Sequence, residues 1–364
     1  MGPHVTDLQR LAPWVDEVHV VEVPMTTRFR GITTREAMII RAGEVWTEWS
    51  PFPEYGPDEA ATWWDASEDF VLRGVPDPVR EAIPVNVTVP AESAEAAHAR
   101  VLASGCTTAK VKVAESGQTS REDVGRVEAV RDALGGAGKV RVDANGAWTP
   151  DQALTMINQL RHCDLEYVEQ PCRTVEELAA LRRELARRGW SVRIAADESI
   201  RRSGDPERVM ALDAADVAVI KVQPLGGVRA CLDLVERLGL PVVVSSALET
   251  SVGLRLGLAL AAALPELPFA CGLNTGPLLA RDVVREPLRA VGGVIAVDQP
   301  AATMINPGID PEALTRLAAM TETTQRWLRR AVDVLTARED HASGDHQSPL
   351  EQRATPPHHD EESR

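Results

Sequence analysis

Residues 108–113 read TAKVKV and residues 140–146 read VRVDANG, and these two stretches set the pattern on which the fold depends. Each starts as a short apolar strand and ends in charged or polar side chains. Side chains alternate between the two faces of a strand, so Lys110 and Lys112 share one face while Val111 lies on the other. The helix-covered face of a parallel sheet must be apolar, so we expect both lysines to point to the inner face. Taken alone, the triplet also fits an edge strand with solvated lysines.

The same pattern recurs from Pro84 onward, where short apolar runs alternate with amphipathic helical stretches. Such alternation indicates parallel strands joined by helical crossovers, and eight strands in about 190 residues predict an α/β fold closed as a barrel. The eight predicted strands cover residues 85–89, 108–113, 140–143, 167–169, 194–197, 217–221, 242–246 and 270–273. From the second strand on, each strand ends at or beside a polar residue, and in a barrel these residues meet at the C-terminal mouth. They are Lys112, Asp143, Glu169, Asp197, Lys221, Ser246 and Asn274.

Three of these strand ends are acidic: Asp143, Glu169 and Asp197. Three anions that converge at one point repel each other unless a hard divalent cation binds them. Magnesium prefers oxygen ligands in an octahedron and keeps places for water or substrate. A single Asp at a strand end is more often a helix N-cap or a turn residue. Three acids in series, flanked by strands that carry lysine, favour a Mg²⁺ site.

The lysines predict how such a metal site would be used. Lys221 lies across the predicted barrel from Lys110 and Lys112; the alternative is a lysine that reaches solvent at the rim. A carboxylate substrate with a hydrogen on the adjacent carbon needs a neutral base and a group that stabilises the enediolate. Burial and a neighbouring cation lower the pKa of a lysine. We therefore predict Lys112 as the base, Lys110 as its tuning neighbour and Lys221 as the stabilising cation or second acid/base.

The rest of the chain predicts the domain organisation and the kinds of partner that are disfavoured. Residues 14–50 alternate like strands, with loops at 25–34 and 50–57, and residues 58–73 are helical, which predicts a small α+β unit. The segment 337–364 is polar and is predicted to be a disordered tail. The net charge of −15 disfavours nucleic acid and anionic lipid as partners. No protein partner is evident from the sequence.

Cellular location is also predicted from the sequence. No apolar run is long enough to span a membrane, and no secretory signal is evident at the N-terminus. The five cysteines are odd in number and form no CxxC pair, which favours the cytoplasm and disfavours structural zinc.

Together these residues resemble the enolase superfamily, in its muconate-lactonizing-enzyme subgroup. That subgroup has a KxK triplet on the second barrel strand, Asp, Glu and Asp on the next three strands, and Lys on the sixth. The resemblance implies a modified (β/α)8 barrel of the (β/α)7β type at residues 84–284. It also implies an α+β capping domain at residues 1–83, completed by part of 285–335. The loops at 25–34 and 50–57 would close the cap over the barrel.

Within the superfamily, four segments resemble a dehydratase family: residues 49–57 (WSPFPEYGP), 141–148 (RVDANGAW), 245–253 (SSALETSVG) and 272–275 (GLNT). The resemblance implies a lyase that removes water, with syn geometry, from a succinyl-substituted cyclohexadiene carboxylate in menaquinone biosynthesis. Lys112 would take the proton and then protonate the departing hydroxide. An N-acylamino acid racemase or dipeptide epimerase would use the same lysines from both faces. A non-catalytic metal-binding barrel is a further alternative, although it has no use for buried lysines.

Substrate contacts are predicted from position at the mouth. Arg141 shares the inward face with Asp143, and the amides that open the helix after residues 246–251 can hold the succinyl carboxylate. Plain N-capping by Thr250 or Ser251 is the alternative. Glu198 adjoins a metal ligand and is predicted to orient Lys221. The predicted substrate-binding residues are Arg141, Asn145, Ser246, Ser251 and Asn274.

Overall fold

The computed structural model describes residues 3–201, 205–297 and 306–344. The chain begins with helix α1 (Pro3–Leu11) and an antiparallel sheet in the order β1 (Glu17–Phe29), β2 (Ile32–Ala42) and β3 (Val45–Trp49). Helix α2 (Pro57–Arg73) follows, and a short strand β4 (Ala82–Pro84) leads out of the unit. Proline at the first turn of α2 and two acids beside it suit a helix N-terminus.

The first predicted loop, residues 25–34, is largely a β-hairpin. Strand β1 continues to Phe29 and β2 restarts at Ile32, so the connection is only Arg30 and Gly31. Both residues have positive φ, 50° and 79°, which is the conformation that tight hairpin turns require. The prediction of a loop over this whole range was wrong, because the ladder resumes at Phe29 after an irregularity that starts at Pro24.

Seven parallel strands form the second sheet, and they neighbour each other in chain order. The register brings Lys112, Asp143 and Glu169 into line on adjacent strands. The strands are β5 (Val87–Val89), β6 (Thr108–Lys112), β7 (Lys139–Asp143), β8 (Leu165–Glu169), β9 (Ile194–Ala196), β10 (Val217–Ile220) and β11 (Val242–Val244).

Helices alternate with these strands. Three successive helices open on capping boxes at Thr119, Thr149 and Thr174, in which a Glu or Gln three residues on bonds back to the cap. The helices are α3 (Ala94–Ser104), α4 (Ser120–Leu134), α5 (Pro150–Leu160), α6 (Val175–Arg187), α7 (Glu198–Arg201), α8 (Asp205–Ala211), α9 (Val228–Leu238) and α10 (Ser251–Ala263). Single 3₁₀ turns lie at Arg161–Cys163, Gln223–Leu225 and Gly276–Leu278.

The eighth predicted strand, residues 270–273, closes the barrel. Cys271 forms a parallel bridge with Val85 at one edge of the sheet, and Gly272 forms one with Ser245 at the other. Glycine is required at 272 because a Cβ there would collide with the Ser245 side chain. The predicted modified (β/α)8 barrel of the (β/α)7β type, with an α+β unit before it, is confirmed.

Below its mouth the barrel interior is lined mainly by apolar and aromatic side chains, with the buried Arg141 among them. Tyr167, Val219 and Phe269 belong to one buried cluster inside the strands, while Val111 and Val142 pack outward in a larger cluster against the helices. Each strand therefore alternates between an inner and an outer face. The charged side chains at the mouth lie above this layer.

The C-terminal part returns to the first unit. Strand β12 (Val294–Ala296) pairs with β4, and helices α11 (Pro311–Arg316) and α12 (Thr321–Gly344) follow. Trp327 of α12 packs edge-on against Trp49 at 5.3 Å. Helix α12 includes residues 337–344, which the sequence had placed in the tail; residues 345–364 lie outside the described residues. None of the helices in the described ranges has the length and apolar character needed to cross a membrane.

Candidate active site

The lysines and acids predicted at the barrel mouth lie within hydrogen-bonding distance of each other. Lys112 Nζ donates to Asp143 Oδ2 at 2.6 Å, and Lys110 Nζ donates to Glu169 Oε1 at 2.7 Å. Lys110 Nζ is also 3.4 Å from Asp143 Oδ2. On the far side of the barrel, Lys221 Nζ donates to Asp197 Oδ2 at 2.7 Å. Both lysines of the triplet therefore point into the barrel, as strand alternation predicted.

These groups are buried, and their charges shift one another's pKa. Burial would raise the pKa of Asp143, but the Lys112 and Lys110 ammonium groups outweigh it and hold that pKa well below its usual range. Burial would lower the pKa of Lys110, but the Glu169 and Asp143 carboxylates raise it above normal. For Lys221 burial prevails, and its pKa is lowered. One lysine therefore stays a cation while another is easier to deprotonate.

The fit of a divalent cation depends on the three acids. Within the described ranges, no three Asp, Glu, His or Cys side chains are close enough together to hold a metal ion as they stand. The reason is that lysine ammonium groups lie among the acids: Lys110 Nζ contacts both Asp143 and Glu169. Yet Glu169 Oε2 is buried without a hydrogen-bond partner. Burial and the neighbouring Asp143 charge raise the pKa of Glu169 to about 7, and a cation beside this oxygen would offset both effects. The donor set suits a hard divalent ion.

A cavity lies above the lysines, and both domains contribute to its wall. Phe29 of the β1–β2 hairpin stacks over Lys112, with Nζ 5.3 Å from the ring centroid. Arg30 of the turn faces the same space. The lining residues are Phe29, Arg30, Thr88, Lys110, Lys112, Asn145, Lys221, Ser245, Ser246, Ala247, Leu248, Gly272 and Thr275.

Two predicted substrate contacts, Asn145 and Ser246, line this cavity. Asn145 Oδ1 accepts a hydrogen bond from Lys112 Nζ at 2.7 Å, and Asn145 Nδ2 donates to Glu198 Oε1 at 3.2 Å. The Ser246 hydroxyl lies 2.8 Å from that of Thr275. Asn145 therefore holds the amine of the predicted base.

Arg141 does not reach the cavity, and its assignment as a substrate contact is corrected. It points inward as predicted, but one layer below Asp143. Its guanidinium donates to Glu166 Oε2 at 2.6 Å and to the Ala270 carbonyl at 2.7 Å, and it lies over the Tyr167 ring. Strand alternation gives the face of a side chain but not its depth in the barrel, so the sequence could not separate the two layers.

Ser251 and Asn274 also lie away from the lysines. The Ser251 hydroxyl donates to Asp282 Oδ2 at 2.7 Å, and the amides at the start of α10 bond to carboxylates of the protein itself. Asn274 Nδ2 lies 3.8 Å from Cys106 Sγ, and Asn274 lines a neighbouring cavity. Thr275, the next residue, lines the cavity above the lysines where Asn274 was predicted. The helix start is N-capped by Thr250, which was the predicted alternative.

Glu198 contacts Asn145 and Arg201 rather than Lys221, so its predicted role in orienting Lys221 is corrected. Asp197 itself bonds Lys221. Arg201, which the sequence analysis missed, donates to Asp197 Oδ1 at 3.1 Å and to the Tyr55 hydroxyl of the second cap loop. The spacing of Asp197 and Arg201 on one helical turn was the signal that could have identified this pair.

Comparison with known proteins agrees with this geometry. The chain matches the family model of the enolase C-terminal domain-like proteins over residues 92–308 and that of the enolase N-terminal domain-like proteins over residues 20–71. Among solved structures, 2-chloromuconate cycloisomerase from Rhodococcus opacus 1CP aligns with a TM-score of 0.72 and 21% identity. That alignment covers 84% of this chain and 99% of the other, and it shows a shared fold.

Curated relatives are closer in sequence. The o-succinylbenzoate synthase of Thermobifida fusca (strain YX) is 59% identical over 301 residues, which is 82% of this chain and 93% of that protein. The o-succinylbenzoate synthase of Mycolicibacterium smegmatis is 49% identical over 319 residues, 87% of this chain and 94% of that protein. The resemblance predicted from the motifs is confirmed. The chain belongs to the enolase superfamily and, within it, to the o-succinylbenzoate synthase family.

Proposed function

We propose that this chain is a carbon–oxygen lyase that converts 2-succinyl-6-hydroxy-2,4-cyclohexadiene-1-carboxylate to o-succinylbenzoate, a step in menaquinone biosynthesis. The observation that carries the proposal is the position of Lys112 and Lys221. They come from β6 and from the end of β10, and both line one cavity beside three buried acids. Two amines beside three buried carboxyl groups suit the removal of a proton from the carbon next to a substrate carboxylate.

Family membership implies a divalent metal, and we propose Mg²⁺ held by Asp143, Glu169 and Asp197. The unpartnered oxygen of Glu169 supports this assignment. When bound, the cation supplies positive charge at the substrate carboxylate, where negative charge develops. Lys110 bonds Glu169 and remains protonated, so it adds a fixed positive charge beside Lys112.

Lys112 carries out the proton transfers in this proposal. Its neutral amine takes the proton from the carbon that bears the carboxylate, and the C–H electrons move into the carboxylate to give an enediolate. These electrons then form the new C=C bond as the C–O bond at the neighbouring carbon breaks. The same nitrogen, now an ammonium, gives its proton to the departing hydroxide, which leaves as water. One group on one face is sufficient for syn elimination. Asn145 fixes the amine, and Lys221 stabilises charge from the opposite side.

The remaining assignments follow from the reaction. The partner is a small carboxylate; we propose no nucleic acid, membrane or protein partner, because the net charge of −15 repels polyanions. We also propose a cytoplasmic location, where menaquinone precursors are soluble and the five unpaired cysteines stay reduced.

The test is to measure o-succinylbenzoate formation from the synthetic hydroxycyclohexadiene carboxylate by absorbance, with Mg²⁺ and after chelation. We expect turnover that chelation abolishes and Mg²⁺ restores. The racemase alternative is tested in parallel with N-succinyl amino acids in deuterium oxide. Rapid α-deuteration without any dehydration would contradict the proposal.

A further inference from the structure

The N-terminus of α10 lies next to the substrate cavity, and a carboxylate from the other domain occupies it. Glu48, on β3 of the antiparallel sheet, is completely buried. Its Oε2 accepts from the Thr250 amide at 3.1 Å, the Gly253 amide at 3.1 Å and the Thr250 hydroxyl at 2.5 Å. Its Oε1 accepts from the Ser50 hydroxyl at 2.7 Å.

All of these partners donate hydrogen bonds and so favour the ionised carboxylate, but burial outweighs them and raises the pKa of Glu48 to about 7. A buried anion is costly unless it is hydrogen-bonded, and a helix N-terminus provides both free amides and a favourable dipole. The helix start that the sequence analysis assigned to a carboxylate of the substrate therefore already holds a carboxylate of the protein. A substrate carboxylate there would compete with Glu48 for the same amides.

Glu48 acts together with Arg35 on one short segment of the barrel. Arg35, on β2, is buried and donates from Nε to the Leu248 carbonyl at 3.1 Å and from one amino group to the Ala247 carbonyl at 3.4 Å. Ala247 and Leu248 line the substrate cavity, and Thr250 ends the segment. Two side chains of the cap thus hold the Ala247 and Leu248 carbonyls and the Thr250 amide.

We propose that Glu48 is a positioning residue that sets the wall of the substrate cavity formed by residues 246–250, and that it acts on substrate binding rather than on proton transfer. This inference rests on the proposed dehydration. The wall follows β11, which pairs with β10 beside Lys221, whereas Lys112 lies on β6, which is not a neighbouring strand. A shift in the wall therefore changes how the substrate fits without moving Lys112.

The test compares Glu48→Gln with Asp282→Asn in the full-length, metal-loaded enzyme. Gln keeps the size of Glu48 but turns an amino group toward donors, so the bonds to Thr250 and Gly253 are weakened. Asp282 accepts from Ser251 at the same helix start but belongs neither to the cap nor to the cavity wall. It therefore controls for general loosening of α10.

For Glu48→Gln we expect KM to rise about tenfold, while kcat changes by less than about threefold, because the loss is in ground-state binding. Hydrogen–deuterium exchange in residues 246–253 should become faster. Asp282→Asn should leave KM unchanged. Thr250→Val, which removes the hydroxyl bond to Glu48 together with the N-cap bond from the Val252 amide, should raise KM by a smaller factor, and its effect should not add to that of Glu48→Gln.

Three results would overturn the inference: a folded Glu48→Gln enzyme with wild-type KM and exchange, an equal rise in KM for Asp282→Asn, or a fall in kcat alone. If Glu48→Gln does not fold, Thr250→Val decides the question by the same two measurements. If the wild type does not dehydrate the substrate, the proposed function fails, and the exchange difference between Glu48→Gln and wild type still shows whether Glu48 orders the wall.

Discussion

At the scale of single residues, the site differs from the rest of the chain in its lysine content. Only four of the 39 lysine and arginine residues are lysines, and three of them, Lys110, Lys112 and Lys221, line one cavity. The fourth, Lys139, is exposed at the start of β7. Arginine remains protonated in proteins, whereas lysine can lose its proton when buried. Amines able to exchange a proton are therefore concentrated where the proposed chemistry needs them.

The first prediction tests Lys112 as the base. Lys112→Arg keeps the positive charge opposite Asp143 but removes the group that can accept a proton. We expect kcat for dehydration to fall about 10²- to 10⁴-fold, the usual contribution of a general base. The measurement is steady-state turnover at saturating substrate.

Lys139→Arg is the matched control, because it makes the same substitution at the other end of the barrel, and it should retain wild-type activity. Circular dichroism should show both variants folded. A Lys112→Arg enzyme with more than about a tenth of wild-type turnover would assign the base to another residue.

Single residues also show where sequence reasoning stops. The inward faces of Lys110, Lys112 and Asp143 followed from alternation along a strand, which is a local property. Glu48 could not be assigned in that way, because its partner Thr250 is 202 positions away in the chain. A carboxylate that occupies a helix start can be recognised only once the two domains are placed together.

At the scale of elements, α12 connects the end of the chain to the first domain. Trp327 is almost fully buried, packs against Trp49, and donates from Nε1 to Glu36 Oε2 at 2.6 Å. Arg338 farther along α12 pairs with Glu68 at 3.0 Å. The helix therefore packs on the core of the first unit.

The second prediction is that Trp327→Ala lowers the free energy of unfolding by about 3–5 kcal/mol, the cost of removing a large buried aromatic side chain. Urea denaturation followed by fluorescence measures this change. Arg329→Ala, on the exposed face of the same helix, should change the free energy of unfolding by less than about 0.5 kcal/mol. Equal losses for the two variants would contradict a specific packing role.

Some helices and strands could be predicted from their own sequence, and others could not. The barrel helices were predicted because long amphipathic stretches alternate with short apolar runs. The capping boxes at Thr119, Thr149 and Thr174 are a finding of the structure. The hairpin at Arg30 was missed because its residues are polar and its turn lacks the usual Asn-Gly pair. The closing segment at residues 271–272 is so short that only its bridges to both edges identify it as a strand.

At the scale of the whole molecule, the cavity joins two domains over a group of buried charges. The acids lie on the barrel, whereas Phe29 and Arg30 come from the cap. The number and spacing of strands could be predicted from hydrophobic alternation alone. The distances among Asp143, Glu169 and Asp197 could not, since they depend on which cation lies among them.

The third prediction is that Mg²⁺ stabilises the native protein. At a free concentration one hundred times Kd, binding should add about 2.7 kcal/mol to the free energy of unfolding. The measurement is thermal or urea unfolding of chelated protein with and without Mg²⁺, which needs no substrate. Glu169→Gln should lose most of this response because a neutral amide replaces a carboxylate ligand.

Asp213→Asn changes an exposed acid on the barrel surface and should respond to Mg²⁺ like the wild type. An unchanged response in Glu169→Gln would remove Glu169 from the proposed ligand set. No response in the wild type would remove the proposed Mg²⁺ site altogether.

The scarcity of lysine has a practical result for handling the protein. Apart from the terminal amine, a reagent that acylates primary amines finds one accessible side chain, Lys139, at the strand-start end of the barrel, opposite the mouth. A bead or sensor chip coupled through that nitrogen would present every molecule in nearly the same orientation, with its catalytic opening turned toward the solution.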